Sequence, residues 1–440
     1  MDYKQKIISI EQALKLVKSG DVIVSGMMAT EGRLFLSRLH EIDAAIKNVT
    51  VTNCLPIIDA PFFTDPDQAK RFLTDSWFYS ASLRRATSYG GVTYIPNHLS
   101  LAGARRLEHK KPNIYIGAAT PPDRHGFVSL SLSNVYEKRT LMAADLVILE
   151  INPHFPRTYG DLEVHVSDID YMIEADYPVP ELPDGEITEK DQIIGKHIAT
   201  FINDGDCLQL GIGGIPNAVA NALVHKKNLG VHTEMLTTGF VKLYKAGAIN
   251  NKMKKTYPGK MVCCFAFGTK ELYDFLDDNP GVAFLDGNYV NDPYVISQND
   301  NQVSINSTIE VDLTGQCSSE SIGLRHFSGT GGQSDTVTGA QRSKNGRSFI
   351  ALYATAMVKN PVTGEREEVS KIVTTLKPGA AVTLSRNDVD YIVTEYGAVR
   401  LRGNDLFERI EKMISIAHPK FRQQLYEEAI AAGIYHPRSK

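Results

Sequence analysis

The sequence has few cysteines and none in a metal-binding spacing. Its five cysteines, spread over 440 residues, include no Cys-x-x-Cys pair. Such a set is typical of reduced thiols in a cytoplasmic protein and excludes a disulfide-rich secreted scaffold. The 12 histidines form no His-x-x-x-His or His-Glu-x-x-His motif. We therefore expect no metal site.

Long apolar runs and long basic runs are also missing. No apolar stretch approaches the ~18 residues of a membrane span. The N-terminal segment "MDYKQKIISI" is charged and lacks the apolar centre of a signal peptide. The net charge is −4, from 47 basic and 51 acidic residues, which disfavours a nucleic-acid groove. These absences predict a cytoplasmic protein that binds neither membrane nor nucleic acid.

Two distant segments share one pattern. In "IEQALKLVKSGDVIVSG" an amphipathic helix leads through Gly20-Asp21 into an apolar strand, and "IGKHIATFINDGDCLQLG" repeats this order through Gly205-Asp206. The two aspartates lie 185 residues apart. Because solenoid repeats have periods of ~20 to 50 residues, this spacing indicates two related α/β domains.

A proline-rich stretch separates the two copies. Pro178, Pro180 and Pro183 precede a charged run, which is typical of a linker. We place the boundary near Gly185, giving domains 1–185 and 186–440. In both, short β-branched runs alternate with helical patterns, which predicts open, mostly parallel sheets. Such sheets bind ligands beyond the carboxyl ends of their strands.

One glycine-rich loop leads directly from a strand into a helix. In "LQLGIGGIPNAVANAL" the chain passes through glycines into a helix begun near Pro216, and such a loop presents backbone amides to an anion. Gly211, Gly213 and the later Glu234 fit the dinucleotide fingerprint. However, Pro216 stands where that fingerprint needs a third glycine. A dinucleotide site, a structural turn and an oxyanion site all stay open at this point.

A second glycine cluster, "HFSGTGGQSDTVTGA", lacks the Gly-Lys-Ser/Thr ending of a nucleotide P-loop. Elsewhere "GVHTEMLTTG" places one carboxylate, that of Glu234, between an apolar run and turn-forming residues. Backbone amides of the two glycine-rich loops can stabilise the oxyanion of an acyl-transfer intermediate, and a glutamate carboxylate can act as the nucleophile. Acyl transfer is therefore one of several candidate chemistries.

Five ordered segments resemble the acetyl-CoA hydrolase/transferase family, of the class I CoA-transferase type. They are "GIGGIPNAV", "GVHTEM", "INSTIEVDLTGQ", "SGTGGQSD" and "AAVTLSRNDVDYIVTEYG". The resemblance is closest to the 4-hydroxybutyrate and butyryl-CoA:acetate CoA-transferases. It implies two similar open α/β domains with the active site at their interface. It also implies CoA transfer from a short-chain acyl-CoA to a carboxylate such as acetate, ping-pong, through a covalent glutamyl-CoA thioester.

The resemblance also assigns residues. The catalytic glutamate of the family maps onto Glu234, within "HTEM". With an ordinary pKa near ~4.3 it would be ionised at pH 7 and need no general base. CoA would be a co-substrate, with no permanently bound cofactor, and the assembly a homodimer or homotetramer. The CoA-binding and oxyanion residues would be Gly211, Ile212, Gly213, Gly214, Ile215, Asn291, Ile309, Gly331 and Gly332.

Three departures from the family pattern bear on the substrate. Thr237-Thr238 replaces a serine followed by an acidic residue, Thr336 replaces a phenylalanine, and Gly32 replaces a proline. The usual acyl preference therefore does not carry over. An acyl-CoA hydrolase with the same nucleophile, a dinucleotide-dependent oxidoreductase and a non-catalytic CoA-binding protein are the alternatives, and Glu395 is a competing carboxylate.

Overall fold

The computed structural model describes residues 3–360 and 363–437. Within these ranges, helices flank two open sheets, one from each half of the chain. The strands of the first half are β1 (Val22–Ser25), β2 (Val49–Asn53), β3 (Phe72–Ser76), β4 (Val92–Tyr94), β5 (Ile114–Ala119), β6 (Phe127–Ser129), β7 (Leu146–Ile151), β8 (Glu163–His165) and β9 (Tyr171–Glu174). Those of the second half are β10 (Cys207–Leu210), β11 (Gly230–Val231), β12 (Met235–Leu236), β13 (Met261–Cys263), β14 (Phe265–Ala266), β15 (Val282–Phe284), β16 (Gln302–Ser307), β17 (Glu310–Asp312), β18 (Cys317–Ser318), β19 (Ser321–Ile322), β20 (Arg325–His326), β21 (Arg347–Ala351), β22 (Thr355–Lys359), β23 (Arg366–Ser370), β24 (Ile372–Val373), β25 (Tyr391–Thr394) and β26 (Gly397–Arg400).

The helices surround these sheets. They are α1 (Ile10–Leu14), α2 (Arg33–Arg38), α3 (Pro61–Thr64), α4 (Ala81–Ala86), α5 (Ala102–His109), α6 (Glu137–Ala143), α7 (Glu189–Ala199), α8 (Gly214–Ala222), α9 (Thr238–Lys245), α10 (Lys270–Leu276), α11 (Gly287–Val290), α12 (Pro293–Ser297), α13 (Gln333–Arg342), α14 (Leu406–Ser415) and α15 (Pro419–Ala431). Single 3-10 turns lie at Tyr3–Lys6, Met28–Thr30, Leu39–Glu41, Pro66–Lys70, Thr87–Tyr89, Leu99–Leu101 and Val166–Asp168.

The first sheet is entirely parallel, in the order β4-β3-β2-β1-β5-β7-β9. The second has the order β11-β10-β16-β21-β25-β26, and only β26 runs antiparallel to its neighbour. Both are open sheets of the predicted kind, with β1 and β10 inside them. In each sheet the carboxyl ends of the parallel strands lie at one edge, where ligand sites form.

The predicted repeat has the same local geometry in both copies. Gly20 and Gly205 precede β1 and β10 with φ values of 85° and 83°, a left-handed conformation that favours glycine. Asp21 and Asp206 each accept a 2.7 Å hydrogen bond from the backbone amide three residues earlier. These matching turns confirm that the two halves are similar α/β units.

One hydrophobic cluster joins the two halves. It contains buried side chains of both sheets, from Val24 in β1 to Leu208 in β10 and Val393 in β25. A smaller cluster covers the far face of each half, around Phe35 in the first and Ile410 in the second. The two sheets therefore pack as neighbours around a shared interface, as predicted.

Residues 175–188 link the halves and lie between β9 and α7, without helix or strand. The boundary near Gly185 falls in this segment and stays a prediction. None of the helices within residues 3–360 and 363–437 has both the length and the apolar character of a bilayer span.

Candidate active site

A cavity of about 610 Å³ lies between the two halves. The first half supplies loops that follow adjacent strands of its sheet, including Met27, Leu55 and Phe78. The second half supplies Glu234 and parts of both glycine loops. Because the cavity lies at the carboxyl ends of parallel strands, its position agrees with the general rule for open α/β sheets.

Glu234 lies just before β12 and is half-buried. Its backbone carbonyl accepts hydrogen bonds from the amides of Cys264 (3.1 Å) and Phe265 (3.2 Å). Its carboxylate Oε2 accepts a 2.6 Å hydrogen bond from Nδ2 of Asn291. Glu234 is also one of the residues that line the cavity. The backbone and the carboxylate are thus both fixed, with the carboxylate available to a ligand.

The pKa of Glu234 differs from the sequence expectation. The pKa is raised from 4.5 to about 7, mainly by burial and also by the negative charge of Asp335, against the lowering effect of hydrogen bonds from Asn291 and the Gly332 amide. The expectation of an ordinary pKa was therefore wrong. The ionised form is less well solvated here than in water, and protonation of the nucleophile becomes possible near neutral pH.

The second glycine loop approaches the carboxylate closely. A Cβ atom added at Gly332 would overlap both the Glu234 carboxylate and the Asn291 amide. Gly331 has a φ of 53°, and a Cβ there would lie 3.9 Å from Oε1 of Glu234. The absence of side chains at Gly331 and Gly332 therefore leaves space for the carboxylate and allows the N-terminus of α13 to lie against it.

Residues of the first half hold this loop in place. The backbone amide of Leu99 donates a 3.1 Å hydrogen bond to the carbonyl of Gly331. The amide and the hydroxyl of Ser100 each donate a 3.0 Å hydrogen bond to the carboxylate of Asp335 in α13. Burial raises the pKa of Asp335 to about 6. The position of the loop therefore depends on contacts between the two halves.

The first glycine loop contributes fewer residues to the cavity than expected. Gly211 and Ile212 line it, and Ile212 is 46% exposed. Gly213, with a φ of 109°, caps α8. Gly214 lies against the side chain of Asp191, and Ile215 is buried in the first turn of α8. The last three residues shape the loop and lie outside the set that lines the cavity.

Two further assigned residues have different positions. Asn291 is buried and contacts the nucleophile candidate Glu234 directly. Ile309 donates its backbone amide to the carbonyl of Ser318 at 3.1 Å and lies outside the cavity lining. A CoA contact by Ile309 stays a prediction.

His232 is a structural support of the Glu234 segment. Its Nε2 lies 2.8 Å from the carbonyl of Val290, and its Nδ1 lies 3.4 Å from the side-chain amide of Asn299. Burial and the charge of Lys254 lower its pKa to about 3. The ring is therefore neutral at pH 7, donating from Nε2 and accepting at Nδ1.

The residues that depart from the family pattern lie outside the cavity lining. Thr336 Oγ1 accepts a 3.1 Å hydrogen bond from Nδ2 of Asn306, which lines the cavity. Thr237 and Thr238 are buried at the start of α9. Gly32 packs against Ile116 of β5. Thr336 therefore acts on the cavity through Asn306.

Glu395, the competing carboxylate, lies elsewhere. Its Oε1 is 2.9 Å from the ammonium of Lys190, and its Oε2 accepts a 2.8 Å hydrogen bond from the amide of Ala354. It does not line the cavity. Its contacts are those of a structural ion pair.

Sequence reasoning assigned no site residue to the first half. The structure brings Met27 and Met28 to the cavity after β1, Cys54 and Leu55 after β2, and Phe78 after β3. The signal that could have found them is their position directly after apolar strands, since open sheets place ligands there.

Comparison with known proteins identifies the family. The N-terminal domain of the acetyl-CoA hydrolase/transferase family matches residues 1–183, and its C-terminal domain matches residues 268–429. A succinyl-CoA:cyclohexane-1-carboxylate CoA transferase of Geobacter metallireducens is 41% identical, over 97% of this chain and 96% of that protein. A 4-hydroxybutyrate coenzyme A transferase of Clostridium kluyveri is also 41% identical, over 97% of each chain.

A solved structure shares the fold over the full length. RipA from Yersinia pestis is 34% identical, with a TM-score of 0.89, over 99% of this chain and 100% of the other. The resemblance seen in the five sequence segments is thereby confirmed. The chain belongs to the acetyl-CoA hydrolase/transferase family of enzymes, and the Geobacter and Clostridium relatives are both named CoA transferases.

Proposed function

We propose that the protein transfers CoA from a short-chain acyl-CoA, such as butyryl-CoA or 4-hydroxybutyryl-CoA, to a free carboxylate such as acetate, through a glutamyl-CoA thioester on Glu234. One observation carries the proposal. The Glu234 carboxylate faces a ligand-sized cavity and accepts a hydrogen bond from a buried amide donor, Asn291. A carboxylate in this setting can form an acyl anhydride.

The first step uses the ionised form of Glu234. One carboxylate oxygen attacks the thioester carbonyl of the acyl-CoA, and the C–S bond breaks from the resulting tetrahedral oxyanion. CoA leaves as a thiolate, and the acyl group and Glu234 share a mixed anhydride. We assign the backbone amides of Ile212 or Gly213, together with that of Gly332, as donors to this oxyanion.

The second step returns CoA to the enzyme. The thiolate attacks Cδ of Glu234, the anhydride bond breaks, and the first carboxylic acid leaves as its carboxylate. The new oxyanion forms on the glutamyl carboxyl group itself. Asn291 Nδ2 already lies 2.6 Å from Oε2 of this group, so its N–H is placed to stabilise that charge without rearrangement.

The acceptor carboxylate then reverses both steps. It attacks the glutamyl thioester, CoA leaves as a thiolate, and the thiolate attacks the acceptor's carbonyl in the new anhydride. The products are the acceptor's CoA thioester and free Glu234. No general base is required, because every nucleophile is an anion. The lowered pKa of His232, about 3, agrees with a mechanism that does not use it to carry protons.

The choice of acyl group does not follow from similarity. The Geobacter and Clostridium relatives have equal identity to this chain, yet their names give different substrates. A hydrolase would use the same Glu234 and would let water attack the thioester. Transfer to a carboxylate is the proposed reaction, and the acceptor dependence of the turnover distinguishes the two.

Trapping the thioester tests the proposal. The protein is incubated with butyryl-CoA, reduced with borohydride and digested for peptide mass spectrometry. We expect reduction of a thioester to an alcohol at Glu234, and none in a Glu234→Gln variant. A Glu395→Gln variant is the matched control and keeps the modification. Absence of the modification with several acyl-CoAs would contradict the mechanism.

A second measurement distinguishes transfer from hydrolysis. Loss of butyryl-CoA is followed with and without acetate. Transfer predicts formation of acetyl-CoA that depends on acetate, with little free CoA. Release of free CoA at the same rate without acetate would instead establish a hydrolase.

A further inference from the structure

The peptide group between Gly331 and Gly332 has to be held in one orientation from outside the loop. Gly331 has a φ of 53°, and glycine adopts left- and right-handed conformations about equally readily. The loop itself therefore does not fix the direction of this peptide group. Because the peptide bond is planar and trans, its carbonyl and its N–H group point in opposite directions. A contact that holds the Gly331 carbonyl thus also sets the direction of the Gly332 amide.

The first half of the chain supplies that contact. The backbone amide of Leu99 donates a 3.1 Å hydrogen bond to the carbonyl of Gly331, so the Gly332 amide points away from Leu99. Gly332 lies directly against the nucleophile, since a Cβ added there would overlap the Glu234 carboxylate and the Asn291 amide. One face of the peptide group is therefore held by the first half, and the other face meets the reacting group.

A side chain of the first half holds the residue that precedes the two glycines. Tyr94 is the last residue of β4, and its hydroxyl oxygen accepts a 3.2 Å hydrogen bond from the backbone amide of Thr330. The hydroxyl oxygens of the two residues lie 3.3 Å apart. The Thr330 hydroxyl donates its own proton to the carboxylate of Glu320, so Tyr94 is the donor in the contact between the hydroxyls. Tyr94 thus holds both the backbone and the side chain of Thr330.

The ring of Tyr94 is held independently of its hydroxyl. It stacks on the ring of His326, with centroids 3.7 Å apart and 28° between the planes. Tyr79 meets the same His326 ring edge-on at 4.7 Å. The carbonyl of Ser328 accepts hydrogen bonds of 2.8 Å from the Tyr79 amide and from Nε2 of His326. A phenylalanine in place of Tyr94 would keep this stack and lose only the hydroxyl contacts.

We propose that Tyr94 is a positioning residue for the reaction at Glu234, and that its hydroxyl fixes the backbone of Thr330 so that the Gly332 amide faces the nucleophile. This inference rests on the proposed function, in which that amide stabilises an oxyanion. Tyr94 itself lies outside the residues that line the cavity, whereas Thr330 is one of them. Tyr94 therefore acts through Thr330. Because Tyr94 and Glu234 belong to different halves, packing of the halves completes the oxyanion site.

Removal of one hydroxyl group tests this role. Tyr94→Phe keeps the ring on His326 and leaves the Thr330 amide without its partner. A displaced donor weakens the transition state more than substrate binding. We therefore expect kcat to fall about 10- to 100-fold, while KM for butyryl-CoA and for acetate changes by less than about 3-fold. Steady-state kinetics with both substrates measure this difference between kcat and KM.

Hydrogen exchange observes the loop without relying on activity. In the unaltered protein the Thr330 amide should exchange slowly, although Thr330 lines the cavity, because Tyr94 protects this amide. In Tyr94→Phe we expect the Thr330 amide to exchange about 10-fold faster, the effect of one lost hydrogen bond. Amides of β16, inside the second sheet, should keep their rates, which shows that the variant is folded.

Two variants serve as controls. Tyr89→Phe removes a hydroxyl from the same half of the chain, at a side chain that is 41% exposed, and should keep both kcat and the exchange rate. Thr330→Ser retains the backbone amide and a hydroxyl group and should keep most of kcat. Should Tyr94→Phe fail to fold, the exchange rate of Thr330 in the unaltered protein still decides, since fast exchange there would overturn the inference.

The outcomes separate this inference from the proposed function. If butyryl-CoA labels Glu234 but Tyr94→Phe keeps its kcat, the inference is wrong and the proposed function stands. The same conclusion follows if the variant raises KM without lowering kcat, or if the Thr330 amide exchanges at an unchanged rate. If no acyl-CoA labels Glu234, the proposed function fails, and the inference fails with it.

Discussion

Asn291 Nδ2 donates a 2.6 Å hydrogen bond to Oε2 of Glu234, although the two residues are 57 positions apart in the chain. The Sγ of Cys264 lies 3.8 Å from Oδ1 of Asn291 and 3.2 Å from the carbonyl of Glu234. The amide therefore has a fixed orientation, with its N–H group toward the carboxylate. This arrangement stabilises negative charge on the carboxyl group at each stage of the proposed reaction.

Removing this donor should lower the rate of CoA transfer. We expect Asn291→Ala to reduce kcat by about 10²- to 10³-fold, the usual effect of losing one oxyanion donor, with a smaller change in KM. Steady-state kinetics with butyryl-CoA and acetate measure it. The control Asn288→Ala, in the same short helix α11, should retain activity. An unchanged kcat in Asn291→Ala would remove this residue from the chemistry.

Filling the space at Gly332 should abolish activity while leaving the fold intact. A Cβ there would overlap the carboxylate and the Asn291 amide. Since the atoms that must move are functional groups, we expect Gly332→Ala to reduce kcat/KM by at least about 10³-fold. Gly185→Ala is the control, because nothing lies within 4 Å of a Cβ at that position.

Near-native activity in Gly332→Ala would show that the loop relaxes away from the carboxylate. Circular dichroism and thermal denaturation of the variant establish that any loss of activity does not come from unfolding.

The sequence predicts features that depend on local pattern. The turns at Gly20 and Gly205 follow from one repeated helix-to-strand pattern, and their φ values of 85° and 83° agree with it. Glu234 was found because its immediate neighbours match a family segment. Both predictions compare short segments with a pattern, and neither depends on which distant residues come into contact.

The remaining features depend on contacts across the chain. Ser100 and Asp335 are 235 residues apart when they bond, and no pattern in either segment indicates the other. The raised pKa of Glu234 comes mainly from burial, which only packing creates. Met28 and Leu55 look like ordinary apolar residues in the sequence, and their positive φ values appear only in the fold.

A buried carboxyl group should make stability depend on pH. Burial raises the pKa of Glu31 from 4.5 to about 8, although the amide of Ile58 donates a 2.9 Å hydrogen bond to its Oε1. Between about pH 4.5 and 8 the native state keeps a proton that the unfolded chain has lost. The free energy of unfolding therefore falls as pH rises through this window.

Replacing Glu31 by glutamine removes this titration. We expect the free energy of unfolding of Glu31→Gln to fall about 4 kcal/mol less than that of the unaltered protein between pH 5 and 9. Urea denaturation at both pH values measures it. Glu108→Gln, at an exposed position, is the control and should leave the dependence unchanged. If the free energy of unfolding changes with pH in the same way in Glu31→Gln and in the unaltered protein, Glu31 does not cause the pH dependence.

The pKa of Glu234 should also be visible in the kinetics. A protonated carboxyl group does not attack a thioester, so kcat/KM should rise with pH and level off above the pKa of about 7. Asp335 raises this pKa through its negative charge.

We therefore expect Asp335→Asn to shift the midpoint of the pH profile of kcat/KM to lower pH, while the asparagine side chain still accepts a hydrogen bond from Ser100. Asp300→Asn, whose carboxylate pairs with Lys255 on the surface, should leave the midpoint unchanged. A midpoint that stays near 7 in Asp335→Asn would show that burial alone sets the pKa of the nucleophile, and that α13 positions the glycine loop without contributing charge.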